Sequence, residues 1–284
     1  MKKSAAIIGT GRVGSALARG LSEAGYRAKY LASKPSVDAQ KLAIELHCQH
    51  IEAPYSELKD SDIIFLTVPD RQIESVAMEL AGSAVIGWEG KTVIHTSGAL
   101  TSEILLPLKT RGAETISLHP LQTFPPGSKS ARFRNIYFSI EGDNTTAAES
   151  IARDLGGTPF RIKSEHKQLY HAAATIASNY MFALISTAVR TLKLSGIEEE
   201  KIDPLKVLFP LIKGTFDSIE EYGLKEGLTG PVARGDIETI ERHLDELRQY
   251  PELLSVYKVM GSELLKLTDL DTDLKEKIKT LFNG

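Results

Sequence analysis

Ala5-Ala6-Ile7-Ile8-Gly9-Thr10-Gly11-Arg12-Val13-Gly14, with Leu17 and Leu21 following at helical spacing, is the stretch that decides the fold. Four consecutive apolar residues read as a buried strand, and Val13, Leu17 and Leu21 as one face of a helix. The three glycines between them have separate mechanical tasks. Gly9 permits a tight turn, Gly11 lets a pyrophosphate approach the backbone, and Gly14 lets the helix pack closely on the strand. Thr10, Arg12 and Val13 complete the loop, and the helix N-terminus offers free N–H groups and partial positive charge to phosphates. The strand–loop–helix context implies a dinucleotide site; the alternative is a Gly-rich turn that binds nothing.

The second strand reads Lys29-Tyr30-Leu31-Ala32 and ends in Ser33-Lys34, with no carboxylate before Asp38. An NAD site usually places Asp or Glu about there to hold the ribose 2′-hydroxyl. A hydroxyl and an ammonium suit a 2′-phosphate instead, and Arg12 could add a second cation. The expected cofactor is therefore NADP(H), unless Ser33 and Lys34 are simply solvated loop residues.

Strand and helix patterns alternate through residue 162. The near-continuous apolar run Asp62–Val68 marks a central parallel strand buried on both faces. Further strand patterns cover Arg27–Ala32, Lys91–His95, Thr115–Leu118, Tyr137–Ile140 and Pro159–Ile162, with helices over Val37–Leu46, Gln72–Leu80 and Thr146–Leu155. This order predicts a doubly wound, mostly parallel Rossmann sheet over residues 1–162. From residue 163 to 284 only helical patterns remain: Glu165–Leu194, Leu205–Tyr222, Ile237–Leu247, Leu253–Leu267 and Leu274–Phe282. Gly, Pro and Asp punctuate them, so an all-α domain is expected there.

At 284 residues, 42% apolar and 25% charged, the chain is long enough for two domains with full cores. A net charge of −3 gives no basic footprint for nucleic acid. No apolar run reads as a membrane span, and Met1-Lys2-Lys3 leads directly into a strand, so a cytoplasmic protein with no membrane partner is expected. Cys48 is the single cysteine and forms no intrachain disulfide. His47, Cys48 and His50 lack a second cluster to complete a metal site and read as an edge loop, so no metal is expected.

In open α/β sheets the ligand lies beyond the carboxyl ends of the strands. That places Val68-Pro69-Asp70, Thr96-Ser97-Gly98 and His119-Pro120 on one rim. Val68, Pro69, Thr96, Ser97 and Gly98 are candidates for the cofactor's nicotinamide side, Ser97 also for substrate. His119 could hydrogen-bond a substrate carbonyl or carboxylate, or tie two loops together. In the first long helix of the second domain, His171, Thr175 and Asn179 fall within an arc of roughly 80°. Between His171 and Leu184 almost every other residue is small or apolar, so the helix is expected to be buried on most sides. A polar stripe there suits proton donation by His171 and orientation by Asn179 and Thr175. A helix–helix hydrogen-bond network or a dimer contact is the competing reading. Arg234, in Leu228-Thr229-Gly230-Pro231-Val232-Ala233-Arg234-Gly235-Asp236, could meet a substrate carboxylate or pair with a protein carboxylate.

The glycine loop and the strand ending at Pro69 resemble those of reductases related to pyrroline-5-carboxylate reductase and the coenzyme-F420-dependent NADP oxidoreductases. Ser117-Leu118-His119-Pro120-Leu121, Tyr170-His171-Ala172-Ala173, Ala177-Ser178-Asn179-Tyr180 and Thr229-Gly230-Pro231 with Arg234-Gly235-Asp236 look like the Rossmann-like proteins whose helical C-terminal domain is of unknown function. The resemblance covers essentially the whole chain. It implies a C-terminal domain of the 6-phosphogluconate-dehydrogenase type, NADP binding and a homodimer formed through the helical domain. Ketopantoate reductases are more distantly similar: their lysine and two asparagines would correspond to His171, Thr175 and Asn179, and only the last matches. Prephenate dehydrogenases resemble the chain around His119-Pro120.

These readings converge on an NADP-dependent oxidoreductase moving a hydride to or from a small carbonyl or imine substrate that bears a carboxylate. His171 and Asn179 would assist at the reacting centre, and Arg234 and His119 would grip the anionic end. The missing lysine keeps a second reading open, a non-catalytic NADP(H)-binding sensor.

Overall fold

The computed structural model describes residues 3–125, 132–198 and 200–284. Its first part alternates as the apolar pattern requires: β1 (Ser4–Ile8), α1 (Arg12–Glu23), β2 (Arg27–Ala32), α2 (Val37–Glu45), β3 (Gln49–Ile51), β4 (Ile63–Leu66), α3 (Asp70–Ala81), β5 (Thr92–His95), the short α4 (Leu106–Lys109), β6 (Glu114–Pro120), β7 (Tyr137–Gly142), α5 (Thr146–Asp154) and β8 (Thr158–Arg161). The eight strands form one sheet in the order β3-β2-β1-β4-β5-β6-β7-β8. All pairs are parallel except β6 with β7. The strand order reverses between β1 and β4, and the crevice at such a switch point is where open α/β sheets bind ligands.

Both faces of the sheet are covered. Ile7, Leu31, Phe65, Ile94 and Phe138 belong to one core with the α1 residues Leu17 and Leu21. Ile8, Ile64, Leu66 and Val93 belong to a second core with the α3 residues Ile73, Ala77 and Leu80. All four residues of β4 are buried, which explains why its sequence shows no polar alternation.

The chain divides into two compact units within the long helix α6 (Lys167–Leu194), one ending at Asn179 and the other beginning at Tyr180. The second unit continues through α7 (Pro204–Glu226), α8 (Pro231–Arg234), α9 (Ile237–Leu247), α10 (Pro251–Leu265) and α11 (Thr272–Asn283). Its core gathers Val232, Ile240, Leu244, Leu265, Ile278 and Phe282. The punctuation residues act as caps: Asp203, Asp236 and Asp271 accept from the backbone N–H of Leu205, Thr239 and Leu274. Pro204, Pro231 and Pro251 occupy first turns, where no amide hydrogen is needed. α7 runs past the expected Tyr222 to Glu226, kinked at Gly223, whose φ of +83° a glycine tolerates.

Two expectations are corrected in α6. Its apolar surface is not buried: Lys167 is the one buried side chain of the helix, and Leu169, Ile176, Tyr180 and Phe182 are exposed. Small and apolar residues signal a face that prefers to leave water, and most of that face is exposed among the described residues. The helical segment Ser164–Leu194 is also long and apolar enough, by length and composition, to cross a membrane, with a windowed mean hydropathy of 1.4. Thr175, Ser178 and Asn179 interrupt the apolar run when it is read residue by residue, whereas in a window average the surrounding Ala, Ile, Leu and Phe outweigh them.

Candidate active site

The glycine loop is built as its spacing implies. Gly9 has φ +102°, and a Cβ there would lie 2.8 to 2.9 Å from the backbone of Thr67 and Val68. A Cβ on Gly14 would come within 1.9 Å of the Gly9 carbonyl oxygen and 2.5 Å of Thr67 Oγ1. Thr67, just past β4, locks the turn by donating to the Gly9 carbonyl at 2.6 Å. At Gly11 an added Cβ would meet nothing within 4 Å. The same residue starts α1 without a side-chain cap, so open space and uncapped N–H groups coincide. Thr10 uses its carbonyl to accept from Ser15 Oγ at 2.8 Å, and Val13 is half-buried behind the loop. Arg12 and, after β2, Lys34 are exposed cations without an ion-pair partner among the described residues. Ser33 lies beside Lys34 and is half-buried.

One strand along the rim, β4 leads through half-buried Val68 to Pro69, which precedes the first turn of α3. Asp70 there accepts from Ser97 Oγ at 2.7 Å. The Ser97 oxygen in turn accepts from the N–H groups of Ala99 and Leu100 at 3.1 and 3.0 Å. Ser97 is buried and fully engaged, so it ties the Thr96-Ser97-Gly98 turn to α3. His95 holds the other side of that turn. Its Nδ1 accepts from Ser97 N–H at 3.2 Å and its Nε2 lies 3.1 Å from the Thr101 carbonyl. Burial pushes its pKa down to about 3, so it is a neutral strut.

Gly98 is where the histidines meet. A Cβ on it would lie 2.7 Å from His171 Nδ1 and 3.0 Å from Cε1 and Nε2 of His119. The two imidazoles stand 6.3 Å apart, nearly perpendicular. His119, which the structure places inside the end of β6 and not after it, has Nδ1 2.7 Å from the Tyr170 hydroxyl. Burial keeps the Tyr170 phenol protonated; with that phenol as donor, the His119 ring hydrogen sits on Nε2, facing Gly98. Burial first, then the nearby Lys167 ammonium, pushes the His119 pKa down to about 4. His119 is therefore uncharged at neutral pH and offers a hydrogen bond, not a cation, to an anionic group. His171 Nδ1 is enclosed and has no hydrogen-bond partner among the described residues.

Lys167 is the residue the sequence reading missed. It lies one helical turn before His171 on the same stripe, which thus runs Lys167, His171, Thr175, Asn179. Its ammonium donates to the hydroxyl of Ser117, which lies two residues before His119 on β6. Burial pulls its pKa down to about 8, against the opposing pull of Glu141 and then Asp70. Glu141 is itself buried, accepting from Ser102 N–H and from the hydroxyls of Ser102 and Ser164 at 2.7 to 2.8 Å. The available signal was the four-residue spacing to His171; a lysine ahead of an apolar helix otherwise reads as solvated.

The remaining candidates are placed less suggestively. Thr175 spends its hydroxyl hydrogen on the His171 carbonyl at 3.0 Å, leaving only its oxygen to accept. Asn179 is exposed at the end of the first unit. Arg234 lies in the helical unit, exposed, with its guanidinium 3.8 Å from Asp236, the N-cap of α9. At that distance and exposure the pair is weak.

The sheet order and the glycine loop define a Rossmann-like domain with a helical partner, and sequence comparison agrees. Residues 1–120 match the Rossmann-like domain family and residues 136–264 match DUF2520, a domain of unknown function. The two family models match adjoining stretches of the chain, in the order of the sheet and the helical half. No curated protein matches it. Among solved structures, a protein of Thermotoga maritima is 29% identical with a TM-score of 0.74, over 96% of this chain and 98% of the other. A Bacteroides fragilis protein provisionally named an NADP oxidoreductase is 23% identical, TM-score 0.70, covering 93% of this chain and 98% of the other. The pyrroline carboxylate reductase of Plasmodium falciparum, solved with NADP bound, shares the fold at 17% identity and a TM-score of 0.60, covering 99% and 98%.

Proposed function

We propose that this protein is an NADPH-dependent oxidoreductase acting on a small carbonyl or imine compound of the keto acid or cyclic imino acid class. The observation that carries this reading is the pairing, on one rim of the sheet, of an open cradle at Gly11 with two imidazoles converging on Gly98. Closed packing at Gly9 and Gly14 beside open space at Gly11 is what a pyrophosphate resting on the α1 N-terminus requires. Arg12 and Lys34, which have no ion-pair partner among the described residues, with Ser33 and no carboxylate directly after β2, fit a 2′-phosphate. The bound cofactor would supply the hydride. The chain would supply the proton and the positioning. His171 has its Nδ1 enclosed against Gly98, so its Nε2 is left to give a proton to the substrate oxygen or nitrogen. His119, neutral and oriented by Tyr170, would position the substrate through a hydrogen bond. Asn179 and the Thr175 oxygen extend the same stripe for orientation. The NADP-bound reductase of the same fold supports the choice of cofactor.

We further infer that two copies pair through the helical unit. Phe209, Leu211, Phe216 and Leu224 on α7 are exposed, and a groove of about 660 Å³ lined by Leu184, Ala188, Val256 and Met260 lies open in the same unit. Water contact with that much apolar surface is costly, and a second copy would relieve it.

The deciding experiment is titration of the purified protein with NADPH and NADH, followed by nicotinamide fluorescence, then a turnover screen with keto acids and cyclic imines. Selective NADPH binding with consumption of NADPH by one of these classes is expected. Failure to bind either nucleotide overturns the reading, and tight binding without turnover makes the chain a nucleotide sensor.

A further inference from the structure

The residue set His47, Cys48 and His50 has no part in the chemistry above, yet one of its members reaches the cofactor end of the sheet. β3 is a short edge strand whose central residue, His50, pairs in register with Leu31 of β2. The backbone N–H of Ser33 donates to the Ile51 carbonyl at 3.2 Å, so the residue following β2 is tied to β3. The half-buried His50 imidazole places Nε2 3.0 Å from Ser33 Oγ. The Ser33 hydroxyl hydrogen now points to the Lys34 carbonyl at 3.0 Å.

We propose that His50 determines the preference for a 2′-phosphorylated cofactor by donating its Nε2–H to Ser33 Oγ. The inference rests on the NADPH reading above and deepens it. A hydroxyl owns one hydrogen and two accepting lone pairs. With His50 on a lone pair, Ser33 is committed to donate its own hydrogen outward. A phosphate, which presents acceptor oxygens, is served by such a donor when the hydroxyl turns from the Lys34 carbonyl. A ribose 2′-hydroxyl is held best by an acceptor, usually a carboxylate, and Ser33-Lys34 offers none. Lys34 adjoins the pair in sequence, has no ion-pair partner among the described residues, and adds its charge to a donor that is already aimed. His47 and Cys48 take no part: His47 forms the turn into β3, with φ +50°.

The test compares dissociation constants for NADPH and NADH in the full chain, in His50→Ala and in His50→Gln. An amide N–H in the glutamine variant can replace the imidazole donor. Losing one hydrogen bond that serves a charged group predicts about tenfold weaker NADPH binding in His50→Ala, with NADH binding unchanged. His50→Gln should recover most of that loss. Competition by adenosine 2′,5′-bisphosphate against 5′-AMP should show the same pattern without the nicotinamide half. An unaltered NADPH-to-NADH ratio in His50→Ala overturns this inference while leaving the cofactor reading intact. An equal loss for both nucleotides also overturns it, because His50 would then merely support the fold. If the unmodified chain binds neither nucleotide, the cofactor reading itself fails.

Discussion

His119 shows how one environment sets both chemistry and stability. Its pKa falls from 6.5 to about 4 through burial and the Lys167 ammonium, so the folded state resists a proton that the unfolded state takes up readily. For such a group stability is complete above about pH 6.5 and is lost as pH falls toward 4. A shift of this size corresponds to about 3 kcal/mol. Denaturant titrations at stepped pH should show that loss in the unmodified chain and a shallower one in His119→Gln; identical slopes would refute the assignment. His95, held neutral by burial in the same turn, contributes a second share that His119→Gln leaves in place. The proton donor is tested separately. His171→Ala should lower kcat by about 10²- to 10⁴-fold with NADPH affinity unchanged, and an unaffected kcat would remove His171 from the chemistry.

Among the elements, α1 and its loop separate packing from binding. At Gly14 even one methyl group collides with the Gly9 carbonyl and Thr67, so Gly14→Ala must push the helix off the strand. Overpacking of this kind costs about 1–3 kcal/mol, and NADPH binding should fall with it. Gly11 is the contrasting case. Its φ of −67° is open to any residue and its surroundings are empty, so Gly11→Ala should fold with unchanged Tm. If a pyrophosphate uses that space, the same variant should bind NADPH at least about tenfold more weakly, by analogy with one lost charge-assisted contact. Thermal melts and fluorescence titrations on the two variants make the comparison. Retained NADPH affinity in Gly11→Ala would place the cofactor elsewhere.

For the whole molecule, the outstanding feature is the apolar surface exposed on α6 and α7 among the described residues. Sedimentation equilibrium without detergent should give twice the mass of one chain. Phe209→Glu with Leu211→Glu should return it to a single chain, because two carboxylates cannot be desolvated in an apolar contact at acceptable cost. Recovery only in a membrane fraction would instead assign α6, which is long and apolar enough, to a bilayer.

The sequence by itself determined the sheet, the glycine loop and the helical second half. Each rests on a local cause: an apolar period, a residue without Cβ, or a cap at a helix start. The positions of Ser33, Lys34 and the rim residues from Val68 to Gly98 follow from the same pattern, because a doubly wound sheet puts the carboxyl ends of its strands on one side. Tertiary structure alone decided which groups share a site. Lys167 under Ser117, His119 against Tyr170, and His50 against Ser33 join residues 50, 51 and 17 positions apart, and no short-range pattern announces such pairs. It also decided charge. His119 becomes neutral and Lys167 a reluctant cation because burial penalises the charged form, and burial is fixed only when the chain has folded.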